Sequence, residues 1–251
     1  MIMICCIEVK VNSKSVKMDH KNLMLNILAI ETSTEMCSVA LSVGGELTFS
    51  EKHVGQKHSE EVLPMIDQLI LKSDIVLNQI DVIGFGAGPG SFTGVRLACG
   101  VAQGLAFGLS VPVVPVSSLE ALAQATNFDR VLICQDARMN QVYAAAYERK
   151  GDIWSPLTEP YVCDPQDVTV PLGGRWVVCG SGLSSYAEAF ESYFGLSGPT
   201  VNVDYVSPSA REVLLITERE YKNGQYVSAE NAAPMYVRNK VALTLDEQAS
   251  R

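Results

Sequence analysis

Histidine is scarce in this sequence: only His20, His53 and His58 occur among 251 residues. That is too few ligands for a histidine-rich metal centre. The seven cysteines, Cys5, Cys6, Cys37, Cys99, Cys134, Cys163 and Cys179, are odd in number and never stand in C-x-x-C spacing. Most sit among apolar, strand-like neighbours and read as reduced, buried residues of a cytosolic protein. No uninterrupted apolar run reaches the roughly 18 residues of a membrane span, so no membrane is expected. The order G-x-x-x-x-G-K-[ST] is absent, which removes the lysine of a P-loop. Basic side chains are outnumbered, 19 against 28, and the formal net charge is −9. A bare encounter with nucleic-acid phosphates would be repulsive overall, so any RNA is expected to be held mostly by another chain.

What is present fits a folded α/β protein. The length suits one large domain or two modest lobes, and 47% apolar residues is ordinary for a packed core. Residues 1–23 stand apart. "MIMICCIEV" lacks the basic flank of a signal peptide, and "KVNSKSVKMDHKN" after it carries no folding pattern. The folded part is expected to begin near Met24, with residues 1–23 a tail or an artefact of the assigned start.

"LNILAIETST" predicts a buried strand ending in a polar turn, and "CSVALSV" and "ELTFSEKHV" predict two more joined by Gly44 and Gly45, a pair suited to a hairpin. "HSEEVLPMIDQLILKSD" places Val62, Ile66, Leu69 and Ile70 on one helical stripe. Its Pro64 is tolerable within the first turn or so and otherwise marks a kink. A strand over 82–85, a glycine-rich helix, a strand in "VPVVPV" and a short helix from near Ser118 follow. The pattern then restarts, with strands over 131–134 and 142–147, a turn at Gly151 and a strand in "RWVVCGSG". "LSSYAEAFESYF" predicts a helix, and "SPSAREVLLITEREYKNG" a longer one starting at a Ser-Pro cap. Two halves with the same opening predict a duplicated α/β unit. Its lobes would span 24–125 and 126–251, with the final segment returning to the first lobe.

The unusual feature is "VIGFGAGPGSFTGVRLACGVAQGLAFGLS", residues 82–110. Each glycine inside a helix costs about 1 kcal/mol relative to alanine, so Gly94, Gly100, Gly104 and Gly108 need a compensating close contact. Gly100, Gly104 and Gly108 recur every four residues as one smooth strip, beside an apolar stripe of Leu97, Val101 and Leu105. Another backbone can approach such a strip, and it is either the protein's own sheet or second lobe, or a partner. In the loop before the helix, Gly88 and Gly90 with the hydroxyls of Ser91 or Thr93 suit either a phosphate cradle or a plain strand-to-helix turn capped by Ser91.

The strings "GAGPGSFTGVR" (86–96), "ILAIETST" (27–34), "DARM" (136–139) and "PMYVRN" (234–239) occur in an order that resembles the bacterial TsaB family, also called YeaZ, over residues 24–241. The resemblance implies the duplicated fold of the actin, Hsp70 and sugar-kinase group (ASKHA, RNase H-like), two lobes each with a mixed sheet and flanking helices. It implies a role in making N6-threonylcarbamoyladenosine, t6A, at position 37 of tRNAs that read codons beginning with A. In that pathway a companion enzyme makes threonylcarbamoyl-adenylate, and the paralogue TsaD transfers the group to tRNA. The implied role is a non-catalytic cytoplasmic subunit that binds and activates TsaD, meets tRNA only through TsaD, and when alone is either a homodimer or a single chain. TsaE, a small P-loop ATPase, is the implied third partner, and ATP or ADP would enter at the complex interface through it.

TsaD carries a metal-binding H-x-x-x-H pair after its glycine helix. The corresponding positions here are Ser118 and Leu122, which cannot supply an equivalent site. The contact surface implied for TsaD consists of first-lobe helices, with Val62, Ile66 and Leu69 on one and Leu97, Gly100, Val101, Gly104 and Gly108 on the other. Gly88, Gly90, Ser91, Thr93, Gly94, Arg96, Asp136, Arg138, Tyr236 and Arg238 are the motif positions expected at a nucleotide or at the interface.

Plainer readings stand beside these. Arg96 would fix the loop to the carboxy-terminal segment, whose "MYVR" reads as strand-like, and Asp136 would pair with Arg138 or across the lobes. Glu31, at the turn through Thr32, Ser33 and Thr34, is a turn residue or a nucleotide contact. His58 reads as a cap or surface residue. No catalytic residue is assigned, because Ser91 lacks a placed histidine base. A phosphotransferase of the sugar-kinase type is weighed against this, but "DARM" lacks the glycine and threonine of a second phosphate loop. A peptidase would lack both metal motif and triad.

Overall fold

The computed structural model describes residues 24–126, 128–151, 153–173, 175–194, 200–202 and 207–238, so the leader at 1–23 lies outside the described residues. β1 (Ile27–Glu31), β2 (Met36–Val43), β3 (Glu46–His53), β4 (Val82–Gly88) and β5 (Val113–Ser117) form a five-stranded sheet in the order β3-β2-β1-β4-β5. Gly44 and Gly45, at φ 58° and 86°, make the turn between β2 and β3. The second sheet takes β6 (Arg130–Asp136), β7 (Val142–Lys150), β8 (Ile153–Pro156), β10 (Trp176–Cys179) and β11 (Thr200–Asn202) in the order β11-β10-β6-β7-β8, with β9 (Tyr161–Cys163) paired to β7. In both sheets the first strand pairs antiparallel with the second and parallel with a later one, β4 or β10. The duplication expected from the sequence is therefore present in the topology.

β1 and β4 are buried along their whole length and are covered on both faces. On one face, α1 (His58–Lys72) and α2 (Phe92–Leu109) bring Val62, Ile66, Ala98 and Ala102 against Leu28, Ile30, Ile83 and Phe85. The other face is covered by α6 (Ala210–Lys222), through Ala210, Val213, Leu214 and Ile216. The last helix of the second half thus packs on the first sheet. Its cap is Ser209, whose hydroxyl accepts from the Arg211 amide at 3.3 Å, and not the Ser-Pro step before it.

α3 (Ser118–Gln124) joins the lobes. Leu119, Leu122 and Ala123 pack with Val131, Ile133 and Tyr147 of the second sheet, while Arg219 of α6 reaches Glu120 at 2.7 Å. The helix expected over "LSSYAEAFESYF" is two, α4 (Gly182–Ser185) and α5 (Ala187–Phe194), broken at Tyr186 with φ −132°. Pro64 lies well inside α1, on its exposed side. α2 is long and apolar enough to cross a membrane by length and composition alone, yet its Gly94, Ala98, Ala102 and Ala106 face is buried on the sheet. The segment containing "MYVR" lies in no strand, which corrects the strand reading.

Candidate functional site

The glycine loop and the turn after β1 interlock. A Cβ at Gly86 would meet the Glu31 carboxylate, one at Gly90 the Ser33 carbonyl, and one at Gly94 the Thr32 carbonyl. Thr32 Oγ1 donates to the Gly94 carbonyl at 2.7 Å, and the Ser91 amide donates to the Ser33 carbonyl at 2.7 Å. Ser91 Oγ accepts from the Gly94 amide at 3.4 Å, so Ser91 is the helix cap. The Ser91 amide is taken by the Ser33 carbonyl and is not free to cradle a phosphate, which favours the plain strand-to-helix turn. Thr93 is exposed.

α2 separates its small residues into two faces. Gly94, Ala98, Ala102 and Ala106 are buried against the sheet, whereas Gly100, Gly104 and Gly108 are exposed, and a Cβ at any of the three would meet nothing within 4 Å. The protein's own sheet is therefore not what approaches the strip. Leu97, Val101 and Leu105 are half-buried along the core margin. The stripe on α1 is different: Val62, Ile66 and Leu69 are 1%, 2% and 3% exposed, inside the core. A periodic stripe reports burial without naming what buries it, and here it is the sheet. The apolar residues α1 leaves outside are Leu63 and Leu71.

Glu31 is buried, accepting the Ser33 amide at 2.6 Å and the Ser118 hydroxyl at 2.8 Å. Burial pushes its carboxyl pKa up, and the hydrogen bonds from Ser33 and Ser118 only partly offset this. Ser118 thus holds a carboxylate, and Leu122 is core. Among the described residues no group of three or more His, Cys, Asp or Glu gathers to hold a metal. His58 is buried, its Nε2 3.3 Å from the Met36 carbonyl oxygen, and so is neither cap nor surface residue. Cys37, Cys99, Cys134, Cys163 and Cys179 are free thiols, and burial pushes the Cys179 pKa up to about 12.

Between the lobes lies a cleft of about 880 Å³, lined by Ser33, Ser91, Arg138, Tyr143, Tyr236 and Arg238 among others. Asp136 Oδ1 accepts from the Arg138 amide and the Tyr186 hydroxyl, both at 2.8 Å. Arg138 pairs with Asp136 at 3.2 Å and reaches Glu35 of the first lobe at 4.0 Å, so both plain readings of this residue hold. Arg138, Met139 and Asn140 are all left-handed, at φ 60°, 56° and 58°. That conformation costs about 1–2 kcal/mol per residue, and no glycine in the sequence signals it.

The carboxy-terminal segment straps the cleft. The Met235 amide donates to the Ala87 carbonyl at 2.7 Å, and Arg96 Nε donates to Tyr236 Oη at 2.9 Å. Further on, Arg238 donates to Gln141 Oε1 at 2.8 Å in the second lobe. The Arg96 guanidinium also lies 3.3 Å from the centroid of the Phe92 ring. Phe92 was missed from the sequence, although its spacing of four from Arg96 on a helix was the available signal.

The family model described as TsaD, tRNA N6-adenosine threonylcarbamoyltransferase, matches residues 48–236. The tRNA threonylcarbamoyladenosine biosynthesis protein TsaB of Haemophilus influenzae is 38% identical over 230 residues, covering 86% of this chain and 95% of that protein. Its Escherichia coli namesake is 36% identical, covering 87% and 96%. The solved structure of YeaZ from Pseudomonas aeruginosa superposes with a TM-score of 0.79 at 35% identity, over 85% of this chain and all of that one. With the doubled sheet order, the interlocked glycine loop and relatives that align almost end to end, the chain belongs to the TsaB family.

Proposed function

We propose that this protein is a non-catalytic subunit of cytoplasmic t6A synthesis, pairing with TsaD through the outer face of α2 and activating transfer of the threonylcarbamoyl group to tRNA. The observation that carries the reading is the strip at Gly100, Gly104 and Gly108, where a Cβ would meet nothing within 4 Å among the described residues beyond its own helix. Glycine in a helix is costly, and a strip of it facing outward is repaid when a partner helix lies close. The names of the curated relatives support the pathway, and Ser118 and Leu122 in the place of metal-binding histidines support a role without chemistry. The net charge of −9 fits a subunit that leaves tRNA to its partner. TsaE, the P-loop ATPase of the system, would supply any ATP turnover, with nucleotide at the complex interface. The outward strip serves equally for self-pairing when the chain is alone.

The test is threonylcarbamoyl transfer to purified tRNA by TsaD, TsaE and the adenylate-forming enzyme, with and without this protein. Modification that requires the chain and survives Ser91→Ala supports the reading. Equal modification in its absence overturns it.

A further inference from the structure

β3 is the outer strand of the first sheet, and among the described residues no strand pairs with its free side. It runs for eight residues in unbroken register with β2, so neither a bulge nor a proline blunts the edge. Its one lysine, Lys52, is held by Glu61 of α1 at 2.7 Å. The turn at Gly44 and Gly45 closes on the Val43 and Glu46 pair, and past the far end the Val54 amide donates to the Glu35 carbonyl at 3.0 Å. Hydrogen bonds to β2 therefore fall on the even-numbered residues of β3. Leu47, Phe49 and Glu51 turn their amides and carbonyls outward. Phe49 is 49% exposed, with the Arg211 guanidinium 5.7 Å from its ring centroid.

The edge is complementary to itself. A second β3, antiparallel and related by a two-fold axis, must set odd residues against odd, so that outward hydrogen-bonding groups and side-chain faces both match. With the axis at Phe49, the two Phe49 rings face each other, Thr48 faces Ser50, and Glu46 faces Lys52 of the other copy. Aromatic, hydroxyl and opposite-charge pairs are the favourable cross-strand combinations, and no like charges meet. An axis at Ser50 would set Phe49 against Glu51, and one at Thr48 would set Glu46 against Ser50, so the match belongs to one register. Lys52 has donors left for Glu46 after Glu61 has taken one. We propose that the outer edge of β3 is a self-association surface, on which a second copy of this chain adds its own β3 antiparallel and centred on Phe49. This edge is separate from the outer face of α2, and the proposal does not rest on pairing with TsaD.

The experiment is disulfide trapping in the full-length chain carrying Gly104→Leu, so that pairing through α2 does not contribute. Facing Cα atoms of a hydrogen-bonded antiparallel pair lie about 5.5 Å apart, within reach of a disulfide. Phe49→Cys is therefore expected to link to its own copy on mild oxidation, with the linked peptide identified by mass spectrometry. In Ser50→Cys the two thiols are diagonal, with Cα atoms roughly 7–8 Å apart, and at least fivefold less link is expected. Equal yields from the two variants, or no link in Phe49→Cys, overturn the proposal. Sedimentation velocity in the same background tests the charges. Glu46→Lys should weaken self-association about tenfold, and adding Lys52→Glu should restore it. Association that Glu46→Lys leaves unchanged, or that the second substitution does not recover, overturns the assigned register.

Discussion

Alanine at Gly94 and alanine at Gly100 add the same methyl group to the same helix, and the structure gives them opposite signs. At Gly94 the methyl would meet the Thr32 backbone carbonyl, which cannot turn aside, so Gly94→Ala is expected to destabilise by about 1–3 kcal/mol. At Gly100 it would enter open space, so Gly100→Ala is expected to stabilise by up to about 1 kcal/mol. Urea unfolding of both variants checks the pair, and shifts of the same sign would refute the two-faced description of α2. Glu31 allows a test by pH. Burial holds its folded-state pKa above the ordinary 4.5, so between those two values the folded chain binds more protons than the unfolded one. Its contribution to stability is fully present below the unfolded value and is lost as pH rises through the folded one. Glu31→Gln should therefore gain on wild type as pH rises from 4.5 toward neutrality. Unfolding midpoints of the two proteins that keep a constant separation across that range would contradict the burial argument.

For the helix as an element, the decisive variant is Gly104→Leu. Because Gly104 faces outward, leucine there should leave the unfolding midpoint near wild type while weakening association with TsaD by about 1–3 kcal/mol, measured by calorimetry. Undiminished association would move the partner surface elsewhere. Strands and helices were largely legible because their signals are local: alternation in "CSVALSV", Gly44 and Gly45 in a hairpin, the stripe of α1. What those elements pack against was not. Val62, Ile66 and Leu69 have the same spacing whether a sheet or a partner covers them, and nothing within 210–222 says that the helix crosses back to the first sheet. β4 runs past residue 85, where a loop was expected, because Gly86 and Gly88 still pair with Val116 and Ser117 of β5 across a register shift. The left-handed turn at Arg138, Met139 and Asn140 was invisible because arginine and methionine rarely adopt that conformation, and Asn140, which does so more readily, stands last of the three. In the candidate site, the four family strings located the glycine loop, the 136–139 turn and the strap. The strings did not reveal that Ser91 is a cap or that Phe92 backs Arg96.

Across the whole molecule, the lobes are held by α3, by the Arg138 to Glu35 pair and by the strap from Met235 to Arg238. The ion pair is exposed and long, so it contributes little. The strap is expected to matter more. Met235→Pro deletes the amide that meets the Ala87 carbonyl at 2.7 Å and leaves that carbonyl unpaired, a loss of about 1–3 kcal/mol. Small-angle scattering should then record a larger radius of gyration as the cleft opens. An unchanged radius would show that α3 alone fixes the lobes. The return of α6 to the first sheet also sets an order of assembly on the ribosome. Ala210, Val213, Leu214 and Ile216 are translated only after every strand of the second sheet, so one face of the first sheet stays bare throughout that interval. The lobe synthesised first is the last to be completed, and a nascent chain stalled short of residue 210 would present that apolar face to chaperones.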